Sequence, residues 1–303
     1  MTTLIDLSLL PAPNVIEPID YETLLADRKA RLLALAPTAQ QADLAAVLAL
    51  ESEPLTQFLQ ETAYRELLLR ARINDAARAC MLPWATGADL DNLGALYGVT
   101  RLTITPANPA TVPPTPAVLE PDADFRRRIQ LAPEGLTVAG SRGAYLFHTL
   151  SADADVKDAN ISNPTPGLVR VAVLSRTGNG TAPAPLLGAV NAALNAETVR
   201  PLCDSVDVVT ATVITYSITA TINVLPGPSP QAVLDAAQAA VEALVDELHQ
   251  CGRDVTRSAL FAALHQPGAL RVDLTAPAAD IEVEPDEAAY CTGIALTLGI
   301  TGE

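Results

Sequence analysis

Six prolines crowd into one stretch near the middle of the chain, and they restrict its folding more than any other feature. They all lie between Thr105 and Asp124. Proline has a fixed φ and no backbone N–H, so neither a helix nor a central strand is expected to run through this stretch. This density favours extended polyproline geometry, which predicts a semi-rigid linker over residues 105–124. The chain should therefore fold in separate parts on either side, and the two ends of the linker are candidate hinges.

The residues before the linker, 1–104, are predicted to form a helical N-terminal domain. Asp20 is placed to cap a helix over 21–35, a second helix is expected over 41–50, and Pro54 opens a long helix over 54–82. This long helix carries alanine and leucine at every fourth residue, which suits close packing against another helix. The residues that carry this spacing are Leu55, Leu59, Ala63, Leu67 and Ala71. Prolines at 11, 13 and 18 indicate an extended arm before the helices.

The residues after the linker alternate between strand and helix patterns. We expect a middle α/β domain over 125–205 and a C-terminal α+β domain over 206–303, which makes the chain an α+β protein. The order strand, helix, strand, strand, helix, strand is that of the split βαβ arrangement. Strands are predicted at 168–174, 206–209, 216–224, 270–274, 281–283 and 294–298, and helices at 124–130, 142–150, 185–194, 230–249 and 257–264.

Charge and composition exclude several classes of function. The formal net charge is −16, and Lys29 and Lys157 are the only lysines, so no basic surface for nucleic acid is expected. Aromatic residues make up only 4%, too few for a base-stacking platform. No apolar run approaches the length of a membrane span, and the apolar run 4–10 contains Asp6 and lacks a basic start. We therefore expect a soluble chain that is not addressed for export and does not bind a membrane.

The side chains that could take part in catalysis or ligand binding are not grouped in the sequence as they would be in a known type of site. Gly178-Asn179-Gly180 is similar to a dinucleotide-binding loop, but Pro183 stands where the third glycine belongs, which favours a plain turn. The carboxylate pairs Asp89/Asp91 and Asp286/Glu287 have no partners that suggest catalysis. Adjacent arginines point about 100° apart on a helix, so the run 126–128 is better suited to a solvated or partner-facing patch than to a phosphate site.

The histidines and cysteines also lack the spacing of a metal or catalytic site. The histidines are His148, His249 and His265, and the cysteines are Cys80, Cys203, Cys251 and Cys291. No two of them are spaced as zinc ligands, and no cysteine has a neighbouring base. Isolated cysteines in a chain without a secretory signal predict reduced, mostly buried thiols. We predict no catalytic, cofactor-binding or metal-binding residues and no cofactor, so a small α/β enzyme remains only as an alternative.

The segment 85–101 has the clearest helix start and stop signals in the chain. It predicts a short helix that is capped by Asp89 and stopped by Gly98 in the left-handed conformation. Its apolar stripe consists of Leu90, Leu93, Leu96 and Tyr97. The pattern Ala85, Gly87, Leu90-Asp91, Leu93, Gly98 and Arg101 resembles the hallmark turn of the baseplate J family, found in contractile phage tails and related tailocins. Further similarity lies in 15–23, in 125–135 with 140–145, and in 288–291.

The resemblance implies a structural role in a contractile-tail baseplate and no enzymatic activity. It implies two copies of the chain per wedge, twelve per baseplate, with helical parts that pair with each other and with a tail-protein-I-like wedge protein. A small lysozyme-like wedge protein and the tail hub or spike are the other implied partners. The C-terminal domains would join wedges into a ring around the hub and tube. The same resemblance fits a bacterial contractile bacteriocin or injection system; in a phage, assembly would occur in the host cytoplasm.

Overall fold

The fold is known from a computed structural model that describes residues 5–11, 19–224 and 229–299. Contacts divide the chain once, between Leu96 and Tyr97, into a helical unit and an α+β unit. The mixed α+β class, with a helical N-terminal region before the strands, is confirmed. The predicted division into domains at residues 104, 124 and 205 stays a prediction. Most of the expected N-terminal arm, including Pro13 and Pro18, lies outside the described residues.

The helical unit is built on α1 and α3, which are packed against each other through small and leucine side chains. Asp20 caps α1 as predicted, because its carboxylate accepts hydrogen bonds from the backbone N–H groups of Glu22 and Thr23. The unit contains a 3-10 turn at Leu7–Leu9 and the helices α1 (Tyr21–Leu35), α2 (Gln41–Leu48), α3 (Pro54–Ala79) and α4 (Gly87–Leu96). Its core consists of Leu24, Leu25, Leu48, Leu59 and Ala63.

For the short helix within residues 85–101, the predicted C-terminal end is correct and the predicted N-terminal cap is wrong. Gly98 has φ +70°, the left-handed value expected of the residue that stops α4. Asp89, however, lies inside the first turn of α4 rather than at its cap, since the helix already begins at Gly87. Only part of the expected apolar stripe is covered: Leu90 is fully buried, whereas Leu96 and Tyr97 are exposed.

The proline-rich segment is not an extended polyproline rod. It turns back on itself as a short antiparallel hairpin, in which β1 (Thr103–Thr105) pairs with β2 (Val118–Leu119). Asn108 and Thr115 close the hairpin further with two backbone hydrogen bonds. This pairing is compatible with the prolines because all of them lie outside the two paired strands, at the tip and flanks, where no ladder N–H is required.

The strands of the α+β unit are divided between two three-stranded sheets rather than sharing one. The first has the order β3-β4-β5 and the second β7-β6-β8. The strands are β3 (Val156–Thr165), β4 (Leu168–Ser175), β5 (Ser205–Thr210), β6 (Thr212–Val224), β7 (Ala269–Ala276) and β8 (Glu287–Leu298). Since β5 pairs in parallel with β4, the change of sheet occurs at Ala211, whereas the predicted domain boundary is residue 205.

Each sheet carries its own helices. The helices that accompany the first sheet are α5 (Asp122–Leu131), α6 (Arg142–Ala152) and α7 (Ala184–Leu194), and those of the second are α8 (Pro230–Leu248) and α9 (Arg257–Leu264). Alternation in β6 was predicted correctly: from Tyr216 to Val224 every second side chain is buried in the core of the second sheet. The predicted strand at 281–283 is wrong, because only Ile281 forms a bridge there, with Val255.

Candidate interaction surface

The long helix α3 presents large apolar side chains to solvent, and these make the most conspicuous surface of the helical unit. We call this surface the α3 outer face. It consists of Leu55, Phe58, Tyr64, Leu68, Leu69 and Ile73. Phe58 is 63% exposed and Leu69 is 65% exposed. Eleven residues make three turns of an α-helix, so Phe58 and Leu69 lie on the same side. A run of exposed apolar side chains along one helix is typical of a protein–protein contact.

The opposite side of α3 makes its contacts within the chain. Leu59 and Ala63 are buried there against α1. Arg28 of α1 donates to Glu66 over 2.5 Å, and Arg70 donates to the same carboxylate over 2.8 Å. The hydrogen bonds from Arg70 and then Arg28 hold the pKa of Glu66 below its ordinary value. The two sides of the helix therefore differ: one is packed within the chain, and the other carries exposed apolar side chains beside the exposed ion pair of Glu61 and Arg65.

Two arginines of the run in α5, Arg127 and Arg128, are paired inside the chain, so the expectation of a solvated or partner-facing patch is wrong for these two. Arg127 donates to the buried Asp158 over 2.8 Å, and Arg128 is itself buried against Glu120. Nearby, Arg176 pairs with Asp124 over 2.8 Å. Because these cations already have carboxylate partners inside the chain, they do not form an anion-binding site.

The glycine loop after β4 is a turn. Gly178 and Gly180 both have positive φ, and the backbone N–H of Ser175 donates to the carbonyl of Gly180 over 2.8 Å. A Cβ added to Gly180 would lie only 3.0 Å from Nε2 of His249. The glycine at this position is therefore explained by close packing against a histidine, and not by a dinucleotide.

The histidines and cysteines are dispersed. Burial lowers the pKa of His148 and of His249, and Nδ1 of His249 lies 2.7 Å from the carbonyl of Ala289. The cysteines are all free thiols. The expectation of mostly buried thiols is wrong, since Cys80 and Cys203 are exposed and Cys251 and Cys291 are only partly buried. Burial, helped by nearby Asp158, raises the pKa of the Cys251 thiol.

The acidic residues that were singled out have structural partners or lie at the surface. Asp286 accepts a hydrogen bond from Asn160 over 2.7 Å, and Glu287 accepts one from the backbone of Glu284. Asp89 and Asp91 are exposed on α4. Within the described ranges, no three His, Cys, Asp or Glu side chains converge as metal ligands would. None of the helices described is both long and apolar enough to traverse a lipid bilayer.

Sequence comparison accounts for almost the whole chain. The Baseplate J-like N-terminal domain matches residues 51–108, the Baseplate J-like central domain residues 137–210, and the Baseplate J-like protein C-terminal domain residues 216–297. Baseplate protein J of Escherichia phage P2 is 50% identical over 300 residues, which cover 99% of each chain. These matches, which together extend over most of the chain, show that the chain belongs to the baseplate J family.

Proposed function

We propose that this chain is a structural component of a contractile-tail baseplate, located in the baseplate of the particle. The observation that carries this proposal is the 50% identity to Baseplate protein J of Escherichia phage P2 over nearly the full length of both chains. The chain is a structural protein and not an enzyme, because it belongs to a family of baseplate proteins, and the alternative of a small α/β enzyme is abandoned.

The finer proposal concerns the neighbours of the chain in the baseplate. We propose that two copies pair in each wedge with one tail-protein-I-like protein, so that six wedges contain twelve copies. The α3 outer face supports this proposal, because apolar side chains such as Phe58 and Leu69 gain about 1.5–3 kcal/mol each when they are buried. Contacts with a lysozyme-like wedge protein and with the tail hub or spike, and closure of the ring by the C-terminal domains, complete the proposed role.

Co-expression with the tail-protein-I-like protein tests this arrangement. Size exclusion with light scattering should give a defined complex with two copies of this chain, and the chain alone should be a dimer or polydisperse. Phe58→Asp and Leu69→Asp should abolish the complex while circular dichroism stays unchanged. Leu202→Asp is the matched control, because Leu202 is also an exposed apolar residue but lies in a loop of the α+β unit. A folded wild-type monomer that ignores the partner would overturn the wedge proposal.

The same structural role in a bacterial contractile bacteriocin or injection system is the second candidate. The family resemblance fits both kinds of particle, and assembly in the host cytoplasm is proposed for the phage case. Inspection of the neighbouring genes distinguishes them, because capsid genes accompany a phage tail and are absent from a tailocin cluster.

A further inference from the structure

The two sheets of the α+β unit are connected by a single residue. Ala211 lies between the last residue of β5 and the first residue of β6, and it is buried. Its backbone N–H donates to the carbonyl of Val173 in the first sheet over 2.8 Å. The N–H of the next residue, Thr212, donates to Asp286, just before β8 of the second sheet, over 3.0 Å. The connection therefore has no length of free backbone in which a hinge motion could occur.

A buried carboxylate joins the same two parts of the chain. Asp158 in β3 is 4% exposed. One of its oxygens accepts from Arg127 of α5 over 2.8 Å, and the other accepts from the backbone N–H of Cys251, after α8, over 3.0 Å. A buried charge is tolerated only where hydrogen bonds satisfy it, and here the donors come from both parts.

The residues on either side of Asp158 extend this junction along β3. Lys157 pairs with Asp246 of α8 over 2.5 Å. Asn160 donates to Asp286 over 2.7 Å. The polar side chains of β3 thus contact α8 and the residue before β8, and a relative rotation of the two parts would break all of these hydrogen bonds together.

An apolar cluster joins the two sheets in addition to these polar contacts. Leu174 of β4, Ala211 and Ala288 of β8 form one buried cluster, against which Cys251 is packed. Beside it, Gly180 approaches His249 so closely that any side chain at this glycine would collide with Leu174 or with the imidazole. Close-packed interiors of this kind resist continuous deformation.

We infer that the two sheets and their helices move as one rigid body, joined by Asp158, Ala211 and the contacts around them. The two parts match two different domain families, so their fusion into one body is not implied by the comparison. It agrees with the contacts of the chain, which divide only between Leu96 and Tyr97. Any change of shape that the chain undergoes in a particle must then be taken up outside this junction. The inference concerns the chain itself and holds whether or not the proposed wedge is correct.

Native-state hydrogen exchange of the full chain, read by mass spectrometry, tests the inference. The most protected amides of β4 and those of β6 should exchange with the same opening free energy, with rates within about threefold of each other as urea is added. Rates that differ by more than about tenfold, each with its own urea dependence, would show two parts that open independently and would overturn the inference.

A pair of variants tests the role of the buried carboxylate separately. In Asp158→Ala, the slowest amides of the two sheets should separate by at least about tenfold, and the amides near Cys251 should lose protection. The matched control is Asp207→Ala, which removes a half-exposed carboxylate paired with Arg170 within the first sheet and should leave the common rate unchanged. Identical exchange patterns in the two variants would contradict the assignment to Asp158. If Asp158→Ala does not fold, Asp158→Asn and the wild-type measurement still decide it.

Discussion

Arg128 and Glu120 form a bidentate ion pair in which both side chains are only 5% exposed. Nε of Arg128 donates over 2.8 Å and Nη2 over 2.7 Å, one to each carboxylate oxygen. Arg128 also donates to the carbonyl of Thr100, and Glu120 accepts from the backbone N–H of Leu102. The base of the proline-rich hairpin is therefore fastened to α5. Both ends of the segment, the two hinges hypothesised from the prolines, meet at this base and are held by these hydrogen bonds.

Removal of Arg128 should be strongly destabilising. In Arg128→Ala the carboxylate of Glu120 stays buried without its cation, and we expect a loss of about 3–5 kcal/mol in the free energy of unfolding. Urea denaturation followed by circular dichroism measures it. Arg170→Ala is the control, because the half-exposed pair with Asp207 should contribute only about 0–1 kcal/mol. Equal losses in the two variants would contradict the importance of the buried pair.

Gly98→Val should destabilise the chain through its backbone alone. No atom lies within 4 Å of the added Cβ, so the whole cost comes from the left-handed φ of +70°, and we expect at least about 1 kcal/mol. Gly188→Val adds the same side chain in α7, where space is also open and φ is not positive, and should be roughly neutral. Thermal melts of both variants make the comparison. An unchanged melting temperature for Gly98→Val would mean that Gly98 does not stop α4.

Stability should fall as the solution is acidified below the ordinary pKa of histidine. Burial lowers the pKa of both His148 and His249 in the folded chain, so the unfolded chain binds protons first. The folded state is then fully favoured above about pH 6.5 and loses stability as the pH falls towards the lowered values. The urea midpoint should decrease from about pH 7 to about pH 5, above the range in which ordinary carboxylates titrate.

Removing the two partly buried imidazoles together, in His148→Gln with His249→Gln, should flatten this pH dependence. His265→Gln is the matched control for the loss of an imidazole and should keep it. A double variant with the wild-type slope would show that other groups cause the effect. None of these substitutions is expected to remove a chemical activity, because no catalytic role is predicted for the histidines.

The thiols should react in two classes. In the folded chain, Cys203 is exposed and should react quickly with an aromatic disulfide reagent. Cys251 should react much more slowly until the chain unfolds, because it is partly buried and the raised pKa of its thiol keeps it protonated. Because Cys80 is exposed as well, a double variant with Cys80→Ser and Cys203→Ser identifies the fast phase, and denaturant should release the slow one. Fast labelling of Cys251 in the native chain would contradict the packed junction at that residue.

Helix limits could be predicted well because their signals are local. Asp20 caps α1 through its own side chain, and proline opens α3, as predicted. Strand β3 was missed for the opposite reason. Its polar residues Lys157, Asp158 and Asn160 do not alternate with apolar ones, because their partners lie in a distant part of the chain. No pattern within β3 itself could reveal those partners.

The candidate surface was predicted only in part. The alanine and leucine residues at every fourth position of α3 correctly indicated a packed side, on which Leu59 and Ala63 are buried. It did not indicate which residues stay uncovered: Phe58 and Ile73 are exposed although they are as apolar as their buried neighbours. Hydrophobicity identifies side chains that favour burial, but whether the covering surface comes from the same chain depends on the tertiary arrangement.

The tip of the hairpin between β1 and β2 is a site at which the chain could accept an inserted segment. Asn108 and Thr115 hold its arms together, and Val112 at its tip is 99% exposed. A segment inserted at this tip would leave and re-enter the chain between two paired residues, and its closure would cost little because loop entropy rises only slowly with length. The contacts that Arg128 makes at the base of the hairpin would stay unchanged by such an insertion. A gene of this kind could therefore acquire an entire extra domain here by insertion, without redesigning either neighbouring unit.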